Sequence, residues 1–191
     1  MEALKQRIHE FITLKPQEWE QFSALVRVET IKARTYLTKA GMLASDIYFV
    51  KEGLLRLFHL ENGKEVSTYF ACDNQFMSAY SSIVTHKPSL EYVEAIEESE
   101  VYAINFHQLR KLYDSSHNLE RIGRIFAESN YLCIVERSLI MQTKTAREKY
   151  LDFLQNNAPK IIQRVPQHQI ASYLGMTPES LSRIRKELAV V

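Results

Sequence analysis

Residues 173–191 read YLGMTPESLSRIRKELAVV, and the two faces of this run decide how the chain is read. At about 100° per residue, Thr177–Leu188 places Leu181, Ile184 and Leu188 together on one side of a helix. Glu179, Arg183 and Lys186 fall opposite, with Ser180 and Ser182 on the flanks. Thr177 suits the N-cap and Pro178 the first helical position, where a missing N–H costs nothing. Ser180 holds the place of the glutamate that would complete a capping box. Upstream, Gln167–Leu174 predicts a second short helix with Ile170, Ala171 and Leu174 inward, stopped by Gly175 in a left-handed conformation. Two short helices joined by a glycine turn, the second with a polar outer face, describe a helix-turn-helix. In that motif the outer face enters the DNA major groove, where arginine pairs with guanine and glutamate accepts from cytosine. On spacing alone, a helical hairpin with a solvated charged face fits equally well.

The chain has 191 residues, 46% hydrophobic and 25% charged, which is room for one large or two small domains. It has no run of about 18 apolar residues to span a membrane. Its start, MEALKQRIHEFITL, is charged and amphipathic rather than a signal peptide. Cys72 and Cys133 are too few and too far apart for a disulfide framework or a cysteine metal cluster, so a cytoplasmic location is expected. The net charge of +1 is unevenly divided. Residues 1–140 carry 16 Lys+Arg against 19 Asp+Glu, whereas residues 141–191 carry 8 against 4. An acidic body with a basic C-terminal quarter suits one DNA-facing module.

Between these ends the periodicity changes twice. Leu4, Ile8, Phe11 and Ile12 predict a helix, and Pro16 breaks it before PQEWEQFSALV. From Val26 to about Ala103, short β-rich runs alternate with Gly, Asn and Asp turn signals, which predicts an antiparallel barrel or sandwich. LLRLFHL-ENG-KEVSTYF is the clearest hairpin, with Arg56 and His59 expected on its solvent side. Helical spacing resumes at NFHQLRKLYDSS and then runs unbroken from about His117 to Met141. In that long helix Ile122, Ile125, Phe126, Leu132, Val135 and Leu139 form a stripe too wide for a simple coiled-coil seam. It can cover the barrel on one side and a second subunit on the other. Thr143–Thr145 offers a hinge before AREKYLDFLQNNAP, a helix closed by Pro159.

This order of elements resembles the cyclic-AMP receptor/fumarate-nitrate regulator (Crp–Fnr) family. KAGMLASDIYFVKEGLLRLF is similar to the family's early barrel signature, with Gly41, Tyr48, Val50, Gly53 and Arg56 in matching places. QIASYLGMTPESLSRIRKEL is similar to its DNA-binding signature, with Ile170, Ala171, Leu174, Gly175, Leu181, Ser182, Arg183 and Leu188 matching. The resemblance implies an α+β fold. Its parts would be a cyclic-nucleotide-binding-like β-barrel (jelly roll) with flanking helices, a long dimerisation helix and a winged-helix-like helix-turn-helix. The corresponding domains are residues 1–116, 117–142 and 143–191. It implies a cytoplasmic homodimer on double-stranded DNA, with RNA polymerase as the further partner such a regulator would meet. Glu179 and Arg183 match the family's base-reading pair, flanked by Ser180 and Ser182. Gln169, Thr177, Lys186, Arg185, Lys144, Arg147, Lys160 and Arg164 are candidate phosphate contacts. Pro178 replaces a residue that usually reads bases, narrowing what the helix can recognise. The family's C-terminal wing is expected to be truncated, its role lost or passed to Ile161–Val165.

In cyclic-nucleotide-binding members a Gly-Glu pair and a later Arg-Ser or Arg-Thr hold the ligand. Here Ser78-Ala79 and Ser89-Leu90 stand in those places, with Glu91 and Glu94 nearby. Burying a phosphate without its cation costs several kcal/mol, so cyclic AMP is not expected in the family's manner. Ser78, Tyr80, Ser81, Ser82, Ser89 and Tyr92 are instead candidates to line a pocket for an unknown neutral effector; a filled barrel with no ligand is the alternative. No cofactor or metal is expected. Two cysteines cannot hold an iron–sulfur cluster, and the six histidines show no paired ligand spacing. No nucleophile–base pair supports an enzyme. The alternative function is a ligand-sensing module whose helix-turn-helix serves protein interaction.

Overall fold

A computed structural model describes residues 1–189. Val190 and Val191, on which part of the expectation about a missing wing rests, lie outside the described residues. The chain opens with α1 (Glu2–His9) and α2 (Pro16–Ser23), so Pro16 starts a second helix as its first residue. The strands are β1 (Val26–Ile31), β2 (Tyr36–Thr38), β3 (Asp46–Glu52), β4 (Leu54–Glu61), β5 (Lys64–Cys72), β6 (Phe76–Met77), β7 (Glu91–Ala95) and β8 (Ser99–Asn105). A short α3 (Tyr80–Thr85) interrupts them between β6 and β7. They form two antiparallel four-stranded sheets in the orders β1-β8-β3-β6 and β2-β7-β4-β5. Asn62 and Gly63 turn the β4–β5 hairpin with φ of 51° and 77°, the left-handed pair that matches the twist of the strands.

Alternation along the strands assigns their faces. Val50, Leu55, Ala71, Val101 and Ala103 point between the sheets and form the barrel core. The residues between them point outward and are buried too. Phe49, Tyr102 and Ile104 pack with Leu4, Ile8 and Phe22 of the N-terminal helices and with Leu119 and Ile122. Leu54, Phe70 and Cys72 pack with the C-terminal helices. Strands buried on both faces read as unbroken apolar runs, which explains DIYFV and VYAI.

After α4 (Phe106–Lys111) comes α5 (His117–Thr143), capped by Ser116, whose hydroxyl accepts from the Leu119 amide at 3.2 Å. Lys144 is extended, and Thr145 caps α6 (Ala146–Asn156) through a reciprocal box with Glu148. Then follow α7 (Pro159–Arg164), α8 (Gln167–Tyr173) and α9 (Pro178–Ala189). The expectation that Ile161–Val165 supplies a wing is corrected. Pro159 opens a helix there, and Ile161 is buried on its inner side.

A second correction concerns Arg56. It is only 2% exposed, between Glu94 at 2.6 Å and Glu65 at 2.7 Å, with its guanidinium carbon 4.0 Å from the centre of the Phe58 ring. Glu94 lies directly across the β4–β7 ladder from Arg56, so cross-strand register pairs the charges. The alternation that places Arg56 on the outer face is right. That face is closed by carboxylates and by Tyr92 stacked 4.9 Å from Phe58, which no helical or strand period reveals. Arg56→Ala would strand Glu94 in a half-closed site, and denaturant unfolding should show a loss of about 3 kcal/mol. Adding Glu94→Gln should recover part of that loss.

Candidate nucleic-acid interface and effector cavity

The C-terminal helices pair through a glycine stop. Met176 donates to the Ala171 carbonyl at 3.0 Å and Gly175 to that of Ser172 at 3.1 Å, a Schellman closure of α8. Gly175 has φ of 64°, and a Cβ there would meet Met141 of α5 at 2.5 Å. The left-handed backbone is what favours glycine here, since the flexible end of Met141 could shift aside. Thr177 then caps α9, its hydroxyl accepting from the Ser180 amide at 3.2 Å.

Leu181 and Ile184 are buried in a core with Phe153, Ile161, Ile170 and Leu174, and Leu188 packs at its edge. Glu179, Ser182, Arg183, Arg185 and Lys186 are exposed, while Ser180 is half-buried. Glu179, Ser182, Arg183 and Lys186 share one face at helical spacing. The backbone amide at Glu179, followed by the Thr177 hydroxyl, holds the Glu179 carboxyl below its usual range and keeps it an acceptor.

The cationic residues divide into two groups. Arg147, Arg183, Arg185 and Lys186 are exposed and make no ion pair among the described residues. Lys144 is paired with Asp152 of α6. Lys160 is held by the barrel, 2.7 Å from Asp73 and 3.3 Å from Glu97, and Arg164 lies 3.0 Å from Glu97. Gln169 is half-buried, and its side-chain oxygen has no partner.

The helix-turn-helix sits against β5, the edge strand of its sheet. Ser172 of α8 donates to the Glu65 carbonyl at 2.7 Å and accepts from the Ser67 amide at 3.1 Å. An edge whose backbone groups would face water is thereby covered. Arg137 of α5 ties the same corner. Its Nη2 donates to the carbonyls of Tyr173 at 2.8 Å and Ser67 at 3.4 Å, and its guanidinium lies 4.1 Å from the centre of the Tyr173 ring. Sequence reading had no signal for Arg137 beyond its place on the long helix.

A cavity of about 890 Å³ opens between the barrel, the N-terminal segment and α5. Ser78, Tyr80 and Ser81 line it. Ser82, Ser89 and Tyr92 are elsewhere: the Ser82 hydroxyl donates to the Lys87 carbonyl at 2.6 Å, that of Ser89 donates to the Glu91 carbonyl at 2.9 Å, and Tyr92 stacks on Phe58. Among the walls missed in the sequence are Arg7, His59, Tyr69, Asn130, Cys133 and Arg137, drawn from three distant segments. Burial pushes the Tyr69 hydroxyl up to about 12, so it stays a donor, and burial also raises the Glu91 carboxyl.

The α5 stripe has two destinations. Ile122 is buried under the barrel and the ring centre of Phe126 lies 4.6 Å from that of Phe76. Leu132 and Leu139 are 57% and 56% exposed, and with Ile125 and Val135 they follow a seven-residue repeat on the outer side. No helix among the described residues is long and apolar enough to cross a membrane.

This arrangement of barrel, long helix and helix-turn-helix is the fold of solved Crp–Fnr regulators. Residues 28–116 match the family model of the cyclic nucleotide-binding domain. FixK2 from Bradyrhizobium japonicum superposes with a TM-score of 0.76 at 18% identity, over 86% of this chain and 85% of that one. The c-di-GMP-responsive global regulator CLP from Xanthomonas campestris gives 0.69 at 17% identity, over 90% of each chain. A CooA mutant from Carboxydothermus hydrogenoformans gives 0.68 at 13% identity, over 87% of this chain and 77% of that one. At such identities the likeness is one of fold. No curated protein matches the chain in sequence.

Proposed function

We propose that this chain is a homodimeric, sequence-specific DNA-binding transcription regulator whose barrel senses an effector. The observation that carries the reading is α9. Leu181 and Ile184 anchor it, and Glu179, Ser182, Arg183 and Lys186 stand together in solvent with no partner among the described residues beyond the helix's own cap. A surface of this kind reads cytosine and guanine edges in a major groove and neutralises phosphate beside them. The outer seam of α5 supports dimerisation. Two such helices packed together would bring two recognition helices to successive major grooves about 34 Å apart.

The barrel does not take cyclic AMP in the family's manner. Ser89, in the place of the phosphate-binding arginine's segment, spends its hydroxyl on its own backbone, and Glu91 lies beside it. The alternative, a helix-turn-helix that serves protein contacts, draws on the docking of α7 and α8 against the barrel. DNA affinity separates the two, because it must fall steeply with salt.

Fluorescence anisotropy on a selected operator should show Arg183→Ala costing about 1–3 kcal/mol and relaxing one base-pair preference. Equal loss on operator and random DNA would make Arg183 a phosphate contact, and affinity indifferent to salt would overturn the DNA reading. The double variant Leu132→Glu/Leu139→Glu should sediment as a folded monomer where the parent sediments as a dimer; an unchanged dimer would move the interface elsewhere. Calorimetry with cyclic AMP should show no sub-millimolar binding.

A further inference from the structure

We propose that the cavity between the barrel, α1 and α5 takes an amphipathic organic anion, its acidic head held by Arg137 and Arg7 and its body against Leu57, Phe76 and Phe126. The volume, about 890 Å³, suits a small organic molecule. Arg137 is half-buried, and no carboxylate lies within ion-pair distance of it among the described residues. Both of its hydrogen bonds run from Nη2 to neutral carbonyls, and each two-donor edge of a guanidinium, Nη1/Nη2 or Nε/Nη2, includes Nη2. A cation withdrawn from water without a counter-charge is costly, and a carboxylate, sulfonate or phosphate ester offsets that cost through paired charge-assisted bonds.

Arg7 supplies the second charge. It is partnered by Glu10 through Nη1, but its Nε is buried with no acceptor among the described residues. Both arginines line the cavity, and so does Tyr69, whose hydroxyl is a neutral donor. The cavity's acids, Glu61 and Glu91, come from the β4–β5 turn and β7, and Glu91 keeps company with Ser81 and His59 instead. The lining is polarised by element, with Arg7 and Arg137 from helices and Glu61 and Glu91 from strands, and Arg137 also bonds the helix-turn-helix.

That polarity gives binding a consequence, and here the inference rests on the regulator reading. The Arg137 bond to the Tyr173 carbonyl holds the last turn of α8, just before the Gly175 stop. An acidic head competes for the same guanidinium and loosens that turn from α5.

The test uses two dyes of matched shape: 8-anilinonaphthalene-1-sulfonate, which is anionic, and N-phenyl-1-naphthylamine, which is neutral. Fluorescence titration of the full chain should show the sulfonate binding at least about tenfold tighter. Arg137→Gln should erase that preference while Arg137→Lys keeps part of it, and Arg7→Gln should weaken the sulfonate by about threefold. Ser129→Trp, which fills the cavity from an exposed position on α5, should abolish both dyes. Equal affinity for the two dyes, or sulfonate binding that survives Ser129→Trp, overturns the proposal, the latter by showing adsorption to the apolar seam. Hydrogen exchange at Leu174, Gly175 and Met176 should quicken when the sulfonate binds; unchanged exchange overturns the coupling. None of these readouts involves DNA, so failure here leaves the DNA reading standing, and failure of DNA binding leaves the cavity standing.

Discussion

β4 and β5 are apolar on both faces, and neither face can be left to water. Leu55 and Ala71 fill the barrel, while Leu54, Phe70 and Cys72 on the other side need a second cover. The helix-turn-helix supplies it. The same surface that closes the barrel is part of the core that stabilises the C-terminal helices, with Phe153, Ile170 and Leu181 completing the cluster. Removing a fully buried leucine or phenylalanine from water contributes roughly 1.5–3 kcal/mol, so this shared core is a substantial fraction of a typical domain's stability. The barrel and the helix-turn-helix thus share one core at this seam, and α8 packs directly on the barrel's outer face.

Polar bonds at the rim set the register of that contact. Ser172 bonds both to the Glu65 carbonyl and the Ser67 amide, fixing α8 along the edge of β5. Lys160 and Arg164 reach across to Asp73 and Glu97. Arg164 is exposed, and an exposed ion pair contributes little. Lys160 is more enclosed, and Asp73 also accepts from the Gly53 amide at 2.8 Å, which ties the pair to the β3–β4 turn. These cations are occupied by the barrel, whereas Arg147, Arg183, Arg185 and Lys186 are exposed and make no ion pair among the described residues.

Much of the fold was legible because it is carried by local signals. The alternation of β-runs, Asn62-Gly63, the Thr177 cap and Gly175 each act over a few residues, and each stands where its residue type predicts. The two faces of α9 were legible for the same reason. What sequence could not show is what lies across space. Arg56 reads as a solvent-side charge because Glu94 is 38 residues away and opposes it only through strand register. Lys160 and Arg164 read as phosphate contacts because Asp73 and Glu97 face them only after docking. The serines near Ser78–Tyr92 read as one pocket because they are close in sequence, yet a helix and a turn aim half of them at their own backbone. Arg7 and Arg137 lie 130 residues apart and share a cavity.

α5 connects these parts by geometry alone. Its 27 residues make a rod about 40 Å long. Ile122 and Phe126 face the barrel, Asn130, Cys133, Ile134 and Arg137 the cavity, and Ile125, Leu132, Val135 and Leu139 the outside. A helix this well packed at its start transmits little bending, so a change at the cavity cannot reach α9 by flexing the rod. Two places bear on how the C-terminal helices sit relative to it. One is the extended Lys144 between Thr143 and the Thr145 cap, where the helical hydrogen-bond ladder is broken. The other is the contact of α8 with β5, an apolar core whose rim is held by Ser172 and Arg137. Rotation about the first requires release of the second. The arginine that faces the cavity is also the one that spans α5, β5 and α8, which makes it the point at which occupancy and orientation can exchange free energy.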